Sequence, residues 1–225
     1  MIRLSTCLTL LTLIAAPLVA LGENHNPTGF VDEITLGRYG MVRRWYTQVP
    51  TLRVRERVTS LKVQEDLLFA ASDKGLLHCL DAESGHIRWT QSISEHGNEV
   101  FPPALTQKHV FVTSGNRMTQ LDRKTGSIII TKELPSATSS GPGASEAFCY
   151  VQTVDHRMHA ISLLPDPDDS FRKWPFKRRF TNPPIKWFYD AGSDLFNPPI
   201  VAKRRVIFTS ANGIVHATVP DARRL

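Results

Sequence analysis

The sequence predicts an all-β fold: a β-propeller of about four repeats, each a four-stranded antiparallel blade, forming a small ring or an open arc. Three observations predict it. Strand-turn-strand units recur at a nearly constant interval, Pro-Pro pairs precede apolar strands in the same phase, and the tryptophans keep that phase too.

The units come first. "LLFAASDKGLLHCLDAESG", "HVFVTSGNRMTQLDRKTG" and "VIFTSANGIVHATVPDA" stand out, with a weaker fourth, "AFCYVQTVDHRMHAISL". Each has an apolar strand, a polar turn and a second strand of alternating character, which is the pattern of a β-hairpin. Leu80 to Leu121 spans 41 residues, Met118 to Met158 spans 40, and Met158 to Val215 spans 57. The last interval is one repeat plus an insertion over about residues 163–186, "LPDPDDSFRKWPFKRRFTNPP", whose Pro, Asp and Arg content reads as a long loop. Pro102 precedes Asn116 by 14 residues, and Pro198 precedes Asn212 by the same 14.

Trp89 lies 27 residues before Asn116, Trp45 lies 28 before the turn residue Asp73, and Trp187 lies 25 before Asn212. Ile130 takes the tryptophan's place in the second repeat, 25 before Asp155. Trp45 therefore marks the last strand of a unit whose earlier part is absent from the N-terminus. The physical reason for the architecture is burial. A single four-stranded blade has two faces to cover and cannot cover them alone, so blades stack and share cores. A glycine at Gly85 permits a tight turn with φ > 0, and Trp89 after it is placed to dock onto the next blade.

These residues carry a family resemblance. Gly75, Leu77, Leu80, Asp81, Ala82, Gly85 and Trp89, with Ser84 for Thr and Cys79 for a small Ala, resemble the repeat of the PQQ-like (quinoprotein-type) propellers. Leu121, Asp122, Thr125 and Gly126 match in the second repeat, Ala160 and Ile161 in the third, and Gly213 and Ala217 in the fourth. The resemblance covers about residues 45–225 and includes the BamB-like outer-membrane assembly propellers. It implies a propeller fold and says little about activity.

Some members of that family are dehydrogenases that use the quinone cofactor, calcium, a catalytic Asp and two adjacent cysteines. This chain is too short for their blade number and has no Cys-Cys pair. Asp81 and Asp122 read instead as turn caps that accept backbone N–H groups. A degenerate quinoprotein dehydrogenase is the enzymatic alternative, and no cofactor is expected. The BamB-like members imply protein binding through loops at one propeller face.

His78, His159 and His216 occupy one repeat position, with Thr119 at the fourth. Equivalent positions on stacked sheets stand about 10 Å apart, whereas zinc ligands meet within about 2.1 Å of one ion. They read as structural, and no metal site is expected. No catalytic nucleophile motif or phosphate loop is present.

The formal charge is +6, carried in short clusters rather than one basic run. That pattern is a solvated surface more than a nucleic-acid arm, and no nucleic-acid partner is expected. Residues 1–22 have the layout of a secretory signal peptide, with Arg3, an apolar run from Leu8 to Ala16, and small residues at Ala20 and Gly22. An uncleaved anchor is the alternative. Residues 23–44 form a lead segment before the repeats. Cys79 and Cys149 sit in apolar strands, as buried core residues or as a pair in an oxidising compartment.

The expected function is a non-enzymatic exported propeller, periplasmic or secreted, acting as a protein-interaction scaffold of the cell envelope. The alternative is a module for anionic polysaccharide or membrane surface. Its candidate element is the insertion, where Lys173, Lys177, Arg178 and Arg179 surround Trp174.

Overall fold

Short apolar runs broken by Asp, Asn and Gly turns fold back on themselves, and each resulting hairpin becomes the middle of a sheet. The computed structural model describes residues 31–51, 55–94, 97–163, 180–181, 185–202 and 205–219. The chain divides into two compact units, residues 1–43 and 44–225. The described part of the first unit carries a short helix, α1 (Glu33–Arg38). Asp32 caps it, accepting from the Thr35 backbone N–H at 2.7 Å and the Thr35 hydroxyl at 2.9 Å. The proposed leader, residues 1–22, lies outside the described residues.

The second unit is a β-propeller. Blade 1 comprises β1 (Val58–Gln64), β2 (Leu67–Ser72), β3 (Leu76–Asp81) and β4 (Ile87–Ser92), hydrogen-bonded in that order. Blade 2 repeats the plan with β5 (Ala104–Leu105), β6 (His109–Ser114), β7 (Arg117–Asp122) and β8 (Ile128–Glu133). Blade 3 has β9 (Gly143–Ala144), β10 (Phe148–Gln152) and β11 (Arg157–Ser162). After β11 comes β12 (Phe180–Thr181), which pairs in parallel with β8 of blade 2. Blade 3 is then completed by β13 (Ile185–Asp190) on the edge of β11. Blade 4 is three-stranded among the described residues: β14 (Ile200–Ala202), β15 (Arg205–Thr209) and β16 (Val215–Thr218). The first strands of the four blades line one central opening of ≈ 280 Å³, with Lys62, Leu105, Gly143 and Val201 on its wall.

The period-2 alternation of each strand assigns its side chains to two neighbours. In blade 1, Leu67, Phe69, Ala71, Leu77, Cys79 and Trp89 pack against Val100, Leu105, Val110, Val112 and Leu121 of blade 2. The opposite face of blade 2 sends Phe111, Met118 and Leu134 against Cys149, Val151 and Ile161 of blade 3. Blade 3 in turn sets Tyr150, Met158 and Ala160 against Leu195, Val206 and Phe208. Each large side chain buried this way contributes about 1.5–3 kcal/mol. Three interfaces between consecutive blades are thus packed. Among the described residues no buried cluster joins blade 4 to blade 1.

Candidate functional site

The third-to-fourth-strand turns show what the repeat carboxylates do. Asp81 Oδ1 accepts from the backbone N–H of Ser84 at 2.9 Å and of Glu83 at 3.2 Å, and from the Ser84 hydroxyl at 2.8 Å. Asp122 Oδ1 accepts from Lys124 N–H at 2.9 Å, Thr125 N–H at 2.8 Å and the Thr125 hydroxyl at 3.0 Å. Arg88 bonds the other Asp81 oxygen at 2.6 Å and, with the turn bonds of Ser84, holds that carboxyl well below the usual range. The Thr125 backbone and hydroxyl bonds lower Asp122 in the same way. These carboxylates are committed to their own turns.

Trp89 and Trp45 close over these two turns. Trp89 of blade 1 donates its indole N–H to Arg123 O at 3.1 Å, beside Gly126. Trp45 donates to Ala82 O at 3.1 Å, beside Gly85. Trp187 lies 6.1 Å from the Tyr150 ring within blade 3. Asp73 and Gly75 form the turn between β2 and β3, where Asp73 Oδ1 accepts from Arg57 N–H at 3.0 Å. Gly213 lies in the equivalent turn of blade 4 with φ +82°.

The three histidines are bonded within their own surroundings. His78 Nδ1 meets Thr90 Oγ1 at 2.9 Å, His159 Nε2 meets Thr153 Oγ1 at 3.1 Å, and His216 Nε2 meets Ser210 Oγ at 2.9 Å. Burial pushes the pKa of His78 and of His159 down. Among the described residues no group of three or more His, Cys, Asp or Glu side chains is placed to hold a metal ion. Cys79 and Cys149 are free thiols buried in different inter-blade cores.

Because strands alternate in direction, the propeller has two unlike faces. The face bearing the first-to-second and third-to-fourth turns is ionic. There Arg88 bridges Asp66 at 2.9 Å and Asp81 at 2.6 Å, while Arg123 of blade 2 reaches back to Glu65 and Asp66 of blade 1. The other face bears the second-to-third turns and the blade-to-blade connections. It exposes Val154 (54%), Phe196 (62%) and Ile214 (49%). Their loops are tied together: Ala191 N–H donates to His156 O at 2.9 Å, His156 Nδ1 meets Asp194 Oδ1 at 3.0 Å, and Ala211 N–H donates to Asp194 O at 2.8 Å. Large apolar side chains held on a fastened loop surface are a means of binding another protein.

A family model described as outer membrane protein assembly factor BamB matches residues 42–224. The chain belongs to the BamB family. Three solved structures share its fold. BamB from Moraxella catarrhalis is 17% identical with a TM-score of 0.50, over 70% of this chain and 41% of that one. The computationally designed Ika4 protein is 12% identical with a TM-score of 0.57, over 77% of this chain and 99% of that one. The computationally designed Ika8 protein is 12% identical with a TM-score of 0.55, over 72% of this chain and 45% of that one. The chain thus spans less than half the length of the solved BamB it matches. No curated protein sequence matches it.

Within this BamB-family propeller, Lys173, Trp174, Lys177, Arg178 and Arg179 lie outside the described residues. Ile185 and Lys186, read from sequence as the end of the insertion, already belong to β13. Sequence reasoning did not single out Val154, Phe196 or Ile214. Their signal is a large apolar residue set among turn residues in each of three connections, "TVDH", "DLFN" and "NGIV", the second and third of which hold two.

Proposed function

We propose that this BamB-family chain is a non-enzymatic protein-interaction scaffold of the cell envelope. It is exported through the leader in residues 1–22 and binds a protein partner through the loop face of blades 3 and 4. The observation that carries the reading is the match to the outer membrane assembly factor BamB over residues 42–224. The exposed Val154, Phe196 and Ile214 on one face support it, since apolar anchors ringed by polar loops are what protein partners bury.

Site-specific photo-crosslinking in cells tests it. A photoreactive residue at Phe196 or Val154 is expected to give a discrete protein adduct that persists at high salt, while one at Glu83 or Lys124 on the ionic face gives none. No protein adduct from either face, together with salt-sensitive binding to anionic polysaccharide or anionic vesicles, would replace this reading with the anionic-surface module.

A further inference from the structure

The inner wall of the propeller is fastened where consecutive blades meet. Between blades 2 and 3, a Cβ built on Gly141 would come within 2.4 Å of Pro102 O. Between blades 3 and 4, one on Gly143 would come within 2.7 Å of Pro199 O. Both joints are a glycine pressed against a proline carbonyl. The joint between blades 1 and 2 is made differently: Lys62 Nζ donates to Pro103 O at 2.6 Å. Neutral contacts close the other two, so an inner joint does not of itself call for a charge.

That charge is at odds with its surroundings. Lys62 lies within β1, opposite Phe69, and is half-buried. Burial lowers its pKa. None of the ion pairs among the described residues includes it. Pro103 O takes one of its three N–H groups. An ammonium partly withdrawn from water with no counter-charge carries a desolvation cost that an anion beside it offsets. The central opening of ≈ 280 Å³ gives such an anion a place. Among the described residues Lys62 is the one charged side chain on its wall, and Gln64 follows two residues on, along the same side of β1. The rest is apolar, with Leu105 from blade 2, Ala144 from blade 3, and Ile200 and Val201 from blade 4. Apolar walls with a few polar groups in fixed places are the make-up of a small-molecule site.

We infer that the central opening binds a small organic acid, its carboxylate held by Lys62 and Gln64 and its alkyl body lying against Leu105, Ile200 and Val201. The lining selects the class. A single cation balances a single negative charge. No guanidinium stands on the wall to grip a phosphate by two parallel bonds, and the aliphatic remainder rewards a ligand with an apolar body. The volume lies just below the range that takes drug-sized ligands, which selects a short acid over a long acyl chain. The site is separate from the loop face proposed above for a protein partner, since Val154, Phe196 and Ile214 are not on its wall.

Calorimetric titration of the full purified chain with hexanoate tests it, and saturable binding is expected. Lys62→Met is expected to weaken that binding about tenfold or more. Lys108→Met, at an exposed lysine off the opening, is expected to leave it unchanged. Ile200 is 64% exposed, so its replacement is compatible with folding. Ile200→Asp sets a carboxylate on the same wall and is expected to weaken hexanoate binding with circular dichroism unchanged, which keeps the test decisive if Lys62→Met does not fold. Hexanol, which has the alkyl body without the charge, is expected to bind far more weakly than hexanoate. No saturable binding of hexanoate, undiminished binding by either folded variant, hexanol bound as tightly as hexanoate, or hexanoate displaced by an equal concentration of inorganic phosphate would each overturn the inference.

Discussion

Trp45 stands on Gly85 as Trp89 stands on Gly126. In both pairs the indole N–H bonds the carbonyl three residues before the glycine, at 3.1 Å. A Cβ built on Gly85 would come within 2.4 Å of the Trp45 ring, and one on Gly126 within 2.5 Å of the Trp89 ring. Both glycines also have positive φ, +73° and +71°. Glycine at these turns is therefore required twice, by backbone conformation and by the ring that covers it.

Replacing these glycines separates the two requirements. Gly213→Ala meets a φ of +82° but open space, so it is expected to cost only the backbone strain, about 1–2 kcal/mol. Gly126→Ala adds displacement of the buried Trp89 and is expected to cost more than that. Gly85→Ala falls between, because the partly exposed Trp45 is freer to lift away. Urea unfolding of the three variants checks the order, and equal losses would refute the packing argument.

Trp89 is 7% exposed and joins blades 1 and 2. Trp89→Ala is expected to cost about 3–5 kcal/mol. Trp89→Phe keeps most of the packing but leaves the Arg123 carbonyl without its indole donor, a loss of about 1 kcal/mol beyond the volume change. Chemical denaturation of both variants reads these differences.

Acid acts on the turns. Asp81 and Asp122 both have lowered pKa values, from Arg88 and the Ser84 turn bonds in the first and the Thr125 bonds in the second. Their ionised forms favour the fold. That contribution is complete above the ordinary carboxylate pKa of about 4 and is lost as the pH falls toward the lowered folded values. Asp122→Asn, which removes the charge and keeps an acceptor, is expected to flatten the acid limb of a Tm-against-pH curve. An unchanged limb would show that the turn charge is not coupled to folding.

The buried histidines act in a higher window. Burial lowers the pKa of His78 and His159, against the opposing fields of Glu56 and Asp155. The neutral rings favour the fold, so their contribution is complete above about pH 6.5 and declines as the pH drops below it. The urea midpoint is expected to fall between pH 7.5 and 5.5, and to fall less in the His78→Gln, His159→Gln double variant. A midpoint that rises over that interval would contradict the assignment.

Desolvation pushes the Cys79 thiol up to about 12 and raises Cys149 as well. Thiolate is the reactive form. A thiol-specific reagent at pH 8 is expected to leave both residues untouched in the folded protein and to label both in denaturant, as read by peptide mapping.

The blades were legible where their determinants are local. Asp81, Ser84, Gly85 and Trp89 fall within nine residues and encode a turn, its cap and its cover. The hairpins β2–β3, β6–β7, β10–β11 and β15–β16 show as apolar runs about a polar turn. The inner strands β5 and β9 are two residues each, too short for any alternation to register. The parallel pairing of Phe180 with Thr131 joins residues far apart in the chain, which no local pattern encodes. The loop face escaped for a related reason. Val154, Phe196 and Ile214 belong to three separate connections, and only the sheet topology puts those connections on one side.

The three separate cores have a thermodynamic consequence. Each blade is stabilised only by the blades beside it, so the free energy is a chain of nearest-neighbour terms. Such an array opens from its ends. Blade 4, which among the described residues has three strands and one packed face, is the natural point of fraying, while blades 2 and 3 are clamped on both sides. Amide exchange along the protein should therefore fall as a gradient, slowest at Phe111 and Val151 and fastest near β16, rather than as one cooperative step.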